Sequence, residues 1–533
     1  MTTVLIAGAG PVGLAAAFEL GRRGVACLVV EQRREVSWER PRAKTTSART
    51  MEHLRRWGIA EAVRRRAFLP VAYSDAVVFC TGLVGREITR FSECFALTPE
   101  PVELYAEAGQ QIPQPLFEQV LRDELASLDS VRLLLGWRLT GLQEGEDSVR
   151  AEVVDESGIS RQITAQYLIG ADGTHGIVRG AIGAHYEGTS DLRPNLNLVF
   201  RARGLHALHD HGPAIHYWVL NPRVAGVLGP MDGKDLWWVI ATGDAAIEEE
   251  PVRVVRELIG AEVDLEVLST DPWSARMAIA SIYGTRRVFL VGDAAHLNPP
   301  WGGHGFNTGV GDAVNLGWKL AALAQGWGGP GLLASYEAER RPIAEETVAL
   351  AAANMRVLAV DLADPLLEAE GESAELARRA AAAEIQRTKS SEFHSLGLVL
   401  GYSYGASPVI VSGERPGPAV AGYLPSTRPG ARLPHHWLAP GRSLYDELGS
   451  GFALVLTRRG AEPGGFEAAA AVRKLPLVIL DLSEAEFDDM EGPAVLVRPD
   501  QHVVWRGEAG SVDAGAVLDV AAGWTAVTVA LPD

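Results

Sequence analysis

The sequence predicts an α/β protein with three kinds of region: a domain built on a parallel sheet, an antiparallel sheet inserted into that domain, and a small α/β domain near the carboxyl end. The first prediction rests on residues 4–31, which read as strand, glycine turn, helix and strand. The second rests on residues 185–280, where short apolar runs alternate with turn clusters, as in antiparallel sheets. The third rests on the strand and helix patterns that return after the Pro- and Gly-rich stretch 405–442.

Composition excludes several classes of protein. The 533 residues are 47% hydrophobic and 22% charged, a globular balance that is long enough for two to four domains. The formal charge of −18 would repel nucleic acids and anionic membranes, so we expect neither partner. Cys27, Cys80 and Cys94 form no zinc or disulfide motif, and we expect no metal. The apolar amino-terminal stretch lacks a basic segment before it, and no apolar run is long enough to span a membrane, which predicts a cytoplasmic protein.

The opening turn has the spacing G-x-G-x-x-G at Gly8, Gly10 and Gly13. The first glycine allows a tight turn, the second lets the backbone approach a pyrophosphate, and the third lets the helix pack on the strand. A pyrophosphate there would meet the positive end of the helix dipole. Glu31 ends the next strand, where a carboxylate can accept from ribose hydroxyls. The pattern therefore predicts an adenosine diphosphate moiety with a free ribose.

Two further glycine-rich segments follow buried strands. The first is G-A-D-G at 170–173, and the second is G-D-A-A-H at 292–296. Asp293 stands at a strand end, where it can accept from a sugar or ribitol hydroxyl. The loop at 299–309 then places several glycines around one asparagine, so that bare backbone amides can face a flat ring. We expect a helix from about Gly311 that points its amino end at this loop.

In this order, the three motifs resemble the single-component FAD-dependent aromatic hydroxylases of the para-hydroxybenzoate hydroxylase type. Segments 41–43, 49–52, 315–320 and 336–342 are similar to the phenol-hydroxylase branch of that family. Arg432 to His435 and 498–506 resemble the thioredoxin-like tail of this branch, which includes antibiotic-tailoring members. The resemblance implies a Rossmann-like FAD domain, an inserted antiparallel-sheet substrate domain and a carboxy-terminal thioredoxin-like α/β domain.

The domain boundaries that we expect divide the chain into six segments. The FAD domain takes 1–72, 105–183 and 283–400, the last with long helices; the substrate domain takes 73–104 and 184–282; a linker and the thioredoxin-like domain take 401–533.

The resemblance also implies which residues hold FAD. They are Gly8, Gly10, Pro11, Val12, Gly13, Glu31, Gln32, Arg42, Gln114, Asp293, Pro300, Gly302, Gly303, Gly305, Phe306 and Asn307. The chain departs from the family pattern at Gly176, where a serine is usual, and at Ser47, where an asparagine is common. The tail has no Cys-x-x-Cys pair, so its resemblance implies no thiol redox chemistry.

The activity that the resemblance implies is an NAD(P)H-driven monooxygenation, in which a flavin C4a-hydroperoxide hydroxylates an electron-rich aromatic ring of phenolic, heteroaromatic or polyketide type. NADPH and NADH are both open as the transient reductant. The partners would be a small aromatic molecule and O2, and a homodimer is left open. Baeyer–Villiger insertion or epoxidation on the same fold is the first alternative, and an FAD-binding protein without turnover is the second.

The inserted sheet offers candidates for substrate chemistry. His216 and Tyr217 are the catalytic candidates, because a phenolic substrate needs a base or a hydrogen-bonding partner. His216 and Trp218 share one face of a strand and Tyr217 lies on the other. The candidates for substrate binding are Trp218, Trp237, Trp238 and Pro299. Ordinary packing explains each of these residues as well.

Overall fold

The computed structural model describes residues 2–38, 44–411, 422–485, 487 and 489–525. The strands in these ranges are β1 (Thr2–Ala7), β2 (Cys27–Glu31), β3 (Thr45–Thr46), β4 (Val77–Cys80), β5 (Glu87–Phe91), β6 (Gln110–Gln111), β7 (Val131–Leu135), β8 (Trp137–Glu144), β9 (Val149–Asp155), β10 (Ser160–Gly170), β11 (Tyr186–Arg201), β12 (His216–Val219), β13 (Ala225–Pro230), β14 (Leu236–Thr242), β15 (Glu266–Ala280), β16 (Val288–Leu290), β17 (His296–Leu297), β18 (Trp437–Ala439), β19 (Arg442–Ser443), β20 (Phe452–Leu456), β21 (Leu477–Asp481), β22 (Ala494–Val497) and β23 (Val503–Gly507). The α-helices are α1 (Pro11–Gly21), α2 (Ala48–Trp57), α3 (Ala60–Arg66), α4 (Gln114–Leu125), α5 (Val178–Ala181), α6 (Asp244–Glu248), α7 (Pro251–Ile259), α8 (Gly305–Ala324), α9 (Gly331–Met355), α10 (Ala359–Leu362), α11 (Glu372–Phe393), α12 (Leu396–Leu400), α13 (Leu444–Glu447), α14 (Phe466–Arg473) and α15 (Ala514–Ala521).

The first sheet has a parallel core in the order β7-β2-β1-β10, with β16 on the other side of the end of β10. The central strands β1, β2 and β16 are largely apolar, and α1 packs on β1 and β2. β9 extends the sheet by antiparallel pairing with the first half of β10, and β8 pairs antiparallel with β9. The three glycine motifs follow β1, β10 and β16, so they meet at one edge of the sheet, where α/β folds bind ligands.

The second sheet has eight strands in the order β17-β15-β11-β14-β13-β12-β4-β5. Its first six strands come from residues 186–297, and β4 and β5 come from residues 77–91. All neighbours are antiparallel except β12 and β4, which pair in parallel with His216 opposite Val77. The predicted antiparallel sheet thus includes one parallel pair. No hairpin joins β4 to β12, because they enter the sheet from separate crossovers.

Helix α8 begins at Gly305, six residues earlier than the glycine at 311 suggested. The sequence is misleading here because glycines inside this helix serve close packing and not a turn. A Cβ added at Gly309 would lie 2.6 Å from Val12, and one at Gly311 would lie 2.8 Å from Arg340. As a result, Gly305, Phe306 and Asn307 lie in the first turn of the helix.

The carboxy-terminal unit is a separate four-stranded sheet in the order β21-β20-β22-β23. β20 and β21 are parallel around α14, and β22 and β23 form an antiparallel hairpin before α15. This confirms the predicted small α/β domain. The unit docks on the parallel-sheet domain through buried ion pairs, in which Arg498 meets Glu339 and Arg432 meets Glu52.

Candidate functional site

The opening turn has the geometry that its glycines predict. Gly8 has φ +102°, and a Cβ there would lie 2.4 Å from the Ala171 oxygen. A Cβ at Gly13 would lie 2.0 Å from the Gly8 oxygen. At Gly10, by contrast, a Cβ would meet no protein atom within 4 Å, so protein packing does not require a glycine there. The close approach of a pyrophosphate does, and the turn therefore fits the predicted cofactor.

Glu31 lies against this turn. One of its carboxylate oxygens accepts from the Ala9 N–H at 2.8 Å, and the other accepts from the Arg33 N–H at 2.9 Å. A carboxylate has about four acceptor positions, so two remain for ribose hydroxyls. Gln32 beside it is exposed. Arg42 lies outside the described residues.

Asn307 ties the predicted flavin loop to the segment before α2. Its side-chain oxygen accepts from the Ser47 N–H at 2.9 Å and from the Thr50 hydroxyl at 2.8 Å. Its amide group donates to the Thr45 and Gly303 carbonyls at 3.1 and 2.8 Å. The side chain thus holds the loop in place and leaves its backbone to face a ligand. Ser47, the departure from the family pattern, caps α2 by accepting from the Thr50 N–H.

A buried triad that the sequence did not suggest supports the loop of Asp293. Asp312 accepts from the Gly292 N–H at 3.0 Å, from the His296 Nε2 at 2.8 Å and from the Arg340 Nε at 2.8 Å. Arg340 and His296 hold the pKa of Asp312 below its usual range despite burial. Asp293 itself is exposed at the sheet edge. Asp312 therefore sets the backbone from which Asp293 would reach a ribitol hydroxyl.

The glycine at position 176 has a packing reason. A Cβ there would lie 1.9 Å from the Asp172 carboxyl carbon. Asp172 accepts from the Val178 N–H at 3.0 Å, so its carboxylate takes the capping role of the usual serine. Arg179 then stacks 3.6 Å from the centre of the Tyr186 ring, whose hydroxyl donates to the Asp293 carbonyl.

Three of the other predicted FAD residues lie in helix amino-terminal turns. Pro11 occupies the first turn of α1, and Gln114 begins α4 and donates to Glu118 at 2.5 Å. Phe306 packs edge-on against Phe117, with ring centres 5.7 Å apart.

A large cavity opens between the predicted flavin loop and the second sheet. It encloses about 1110 Å³, open solvent at its mouth included. Pro300, Gly302 and Gly303 form one wall, and aromatic side chains form much of the rest. Those aromatic residues are Phe95, Trp218, Trp238 and Trp301. The flavin loop and a ring-sized apolar space are thus adjacent.

Strand pleating divides the predicted substrate residues. His216, Trp218 and Trp238 line the cavity. Tyr217 and Trp237 lie in the core on the opposite face, and the Tyr217 hydroxyl donates to the Gly212 carbonyl at 2.6 Å. Neither faces the cavity, so the sites predicted at Tyr217 and Trp237 need correction. Pro299 is buried and is not among the residues that line the cavity.

The cavity also contains polar groups, two of which the sequence did not suggest. Lys44 donates to the Ile215 carbonyl at 2.7 Å, and burial holds its pKa well below its usual value. Burial, with Lys44 and Lys389 nearby, likewise lowers the pKa of His216, which is therefore neutral at pH 7. Glu392 enters from the end of α11, and burial raises the pKa of its carboxyl.

A second cavity of about 980 Å³ lies beyond the loop and shares Thr45, Phe95, Gly302 and Gly303 with the first. Phe95 stands between the two with a left-handed backbone (φ 58°), as do Glu93 (φ 56°) and Ala96 (φ 55°). Such conformations are costly for side chains larger than glycine and are concentrated at functional sites.

The described ranges contain no cluster of three or more His, Cys, Asp or Glu residues placed to hold a metal ion. In the same ranges, no helix combines the length and apolar character needed to cross a bilayer.

Comparison with known proteins agrees with the FAD site that the geometry indicates. Residues 1–351 match the FAD binding domain family, and residues 426–526 match the aromatic-ring hydroxylase C-terminal family. Aklavinone 12-hydroxylase RdmE of Streptomyces purpurascens is 32% identical, covering 97% of both chains. FAD-dependent monooxygenase apdD of Emericella nidulans is 30% identical, covering 95% of this chain and 88% of the relative.

Solved structures are similar over nearly the whole chain. The rebeccamycin biosynthetic enzyme RebC with reduced flavin has a TM-score of 0.90 at 34% identity, covering 98% of this chain and 99% of that one. Aklavinone-11 hydroxylase, solved with FAD and aklavinone, has a TM-score of 0.82 at 28% identity, covering 98% of each. The predicted fold class and FAD cofactor are confirmed, and the chain belongs to the FAD-dependent aromatic-ring hydroxylases.

Proposed function

We propose that this protein hydroxylates a planar, polycyclic phenol of polyketide type, with NADPH or NADH as reductant and O2 as oxygen donor. The observation that carries the proposal is the aromatic cavity between the flavin loop and three tryptophans. Its flat apolar walls and its few polar groups suit a planar ring system that carries a hydroxyl group. Relatives named for aklavinone and polyketide hydroxylation support a fused-ring substrate.

Bound FAD would supply the redox chemistry, taking a hydride from NAD(P)H and activating O2. The residues that would hold it are the opening turn and Glu31 at the adenosine end, Asp293 at the ribitol, and Pro300 to Gly303 with the first turn of α8 at the ring. The backbone amides of that turn lie at the positive end of the α8 dipole, which favours negative charge on the ring.

The walls of the cavity would orient the substrate and exclude water. Trp218 and Trp301, with ring centres 5.5 Å apart, offer flat apolar surfaces. Exclusion of water suppresses wasteful release of peroxide. The neutral His216 and the carboxylate of Glu392 are the groups that could contact a phenolic hydroxyl.

The test is the stimulation of NAD(P)H oxidation by candidate rings in FAD-loaded protein. Aklavinone and 2,4-dichlorophenol would serve as the polycyclic and monocyclic probes. We expect stronger stimulation by aklavinone and a product heavier by one oxygen atom. NMR of the product separates hydroxylation from oxygen insertion or epoxidation. FAD-loaded protein that oxidises NAD(P)H with neither probe would contradict the proposal and favour a non-catalytic FAD protein.

Location and assembly are also part of the proposal. A cytoplasmic protein fits a reaction that consumes NAD(P)H, and a homodimer is the assembly to test by light scattering.

A further inference from the structure

One carboxylate reaches the cavity from outside the second sheet. Glu392 is 2% exposed and lies in the last turn of α11, after a helix whose outer face is solvated. It lines the cavity with His216 and Trp218. A buried carboxylate in an aromatic cavity is costly unless it has partners and a use.

The partners of Glu392 leave part of its carboxylate available. It forms an ion pair with Lys389, and the Gly302 N–H of the flavin loop lowers its pKa. At most two of about four acceptor positions are thus used. Lys389 is itself held by the Asn354 and Val357 carbonyls at 3.1 and 3.0 Å, so the ion pair has a fixed geometry.

Three other polar atoms around this point lack partners. His216 Nε2, Trp218 Nε1 and Trp238 Nε1 are buried and have no hydrogen-bond partner among the described residues. Buried polar atoms without partners are rare in native proteins and call for a ligand or water. The atoms around the cavity therefore suit a ring that carries both hydrogen-bond donors and acceptors.

We propose that Glu392 is the catalytic base of this site, accepting the hydrogen bond of the substrate's phenolic O–H and taking its proton as the ring is attacked. The O–H bond breaks, its electron pair stays on the phenolic oxygen, and the carboxylate becomes a carboxylic acid. The ring carbon forms its new bond to the oxygen that the flavin chemistry would supply, as the O–O bond breaks, and it then loses its own hydrogen as a proton to the leaving oxygen. The proton held by Glu392 returns to the phenolic oxygen as the ring becomes aromatic again. Glu392 lines the same cavity as Gly302 and Gly303, which places this base beside the flavin loop.

Electrostatics support the role. Burial raises the pKa of Glu392, and Lys389 and the Gly302 N–H oppose that rise. A carboxyl so tuned works as a base closer to neutral pH. The other titratable groups around it are His216 and Lys44 across the cavity, His304 behind Gly302, and Asp271 on β15.

The inference rests on the proposed phenolic substrate, and its first test needs no turnover. FAD-loaded parent protein and Glu392→Gln would be titrated with 2-hydroxyanthraquinone and its 2-methoxy analogue. We expect the parent to prefer the hydroxyl probe by about tenfold, since hydrogen bonds to charged groups are the stronger ones. Glu392→Gln should lose most of this preference and retain the FAD affinity of the parent. Glu384→Gln, an exposed position on the same helix, is the matched control and should behave as the parent.

The second test is the pH profile of probe-stimulated NAD(P)H oxidation. The parent rate should fall on the acid side as Glu392 is protonated, and Glu392→Gln should lose that limb and at least about 100-fold of the rate. A parent without preference for the hydroxyl probe, or a Glu392→Gln protein that keeps both preference and acid limb, overturns the inference. A parent that shows the preference but oxidises no NAD(P)H contradicts the proposed function instead.

Discussion

Charged and polar side chains are buried in two regions, the contact of the carboxy-terminal unit and the aromatic cavity, and their hydrogen bonding differs. At the contact, the carboxylate of Glu339 accepts from four donors. They are Lys319 and Arg498 at 2.7 Å, and Asn315 and Ser407 at 2.6 Å. All acceptor positions of this carboxylate are filled by protein.

In the cavity, hydrogen bonding is incomplete. Lys44 donates to the Ile215 carbonyl, and His216 Nε2 and the indole nitrogens of Trp218 and Trp238 have no hydrogen-bond partner among the described residues. Burial costs desolvation free energy in both regions, but the carboxylate of Glu339 is fully paired within the chain, whereas the polar groups that face the cavity are not. We infer that the Glu339 network stabilises the fold and that a ligand completes the hydrogen bonding in the cavity.

The largest expected effect comes from breaking the filled network. Arg498→Met would leave Glu339 and Asp500 without their main charge partner, because Arg498 donates to both carboxylates. We expect the free energy of unfolding to fall by about 3–5 kcal/mol, which calorimetry would detect as a lower Tm. Trp238→Phe in the cavity is the control and should change stability far less. Equal Tm values for Arg498→Met and the parent would show that the network is dispensable.

The opening turn contains one glycine that protein packing requires, Gly13, and one that only a bound cofactor requires, Gly10. Gly13→Ala would place a Cβ 2.0 Å from the Gly8 oxygen, so it should disturb the fold of the turn. Gly10→Ala meets no protein atom within 4 Å and should fold normally while losing FAD affinity by about tenfold or more. Circular dichroism and FAD fluorescence titration measure the two effects. Normal FAD affinity in Gly10→Ala would remove this glycine from the pyrophosphate site.

His216 and Tyr217 are neighbours on β12, and they compare a residue that faces the cavity with one that faces the core. His216→Ala should change coupling of NAD(P)H oxidation to product several-fold, with FAD affinity and Tm close to the parent, because its ring faces the cavity. Tyr217→Phe removes the hydrogen bond to Gly212 and should cost about 1 kcal/mol of stability without altering coupling. Peroxide release and product yield measure the coupling of both variants. Altered coupling in Tyr217→Phe with normal coupling in His216→Ala would contradict the assignment of His216 to the cavity face and Tyr217 to the core face.

The smallest effect is a pH dependence. Burial lowers the pKa of His304 to about 4 from an ordinary 6.5. A depressed histidine pKa means that the unfolded chain binds the proton first, so stability is full above pH 6.5 and falls as the pH drops toward 4. Between pH 7.5 and pH 6 the parent should lose about 1 kcal/mol of unfolding free energy because of His304, and His304→Gln should not show this loss. Chemical denaturation of parent and variant at pH 7.5 and 6 measures it, and parallel losses in both would exclude His304 as the source.

The sequence predicted those parts of the site that depend on local backbone geometry. Gly8 and Gly13 are required by contacts within one turn, so their spacing alone identifies them. Asp312 lies within α8 and Glu392 at the end of α11, and an isolated Asp or Glu in a helix has no distinguishing pattern. Only the folded chain brings them to Gly292 and Gly302.

The errors in the sheet and in α8 have similar physical causes. Pairing partners of β12 are set by chain crossovers and not by local pattern, so the parallel pair with β4 was invisible. The alternation of faces along β12 and β14 did carry a signal, because it separates Tyr217 from His216 and Trp237 from Trp238. The glycines at 309 and 311 resembled a loop because their close neighbours, Val12 and Arg340, are distant in sequence.

The docking of the carboxy-terminal unit sets the order in which the protein can mature during its synthesis. Glu52 is buried against Arg432, 380 positions later in the chain. A ribosome adding about 5–20 residues per second needs roughly 20 to 80 s to cover that distance. Until then the carboxylate of Glu52 lacks this charge partner, and α2, which carries it next to the flavin loop, is incompletely anchored. The nascent FAD domain therefore reaches its final packing only near the end of translation.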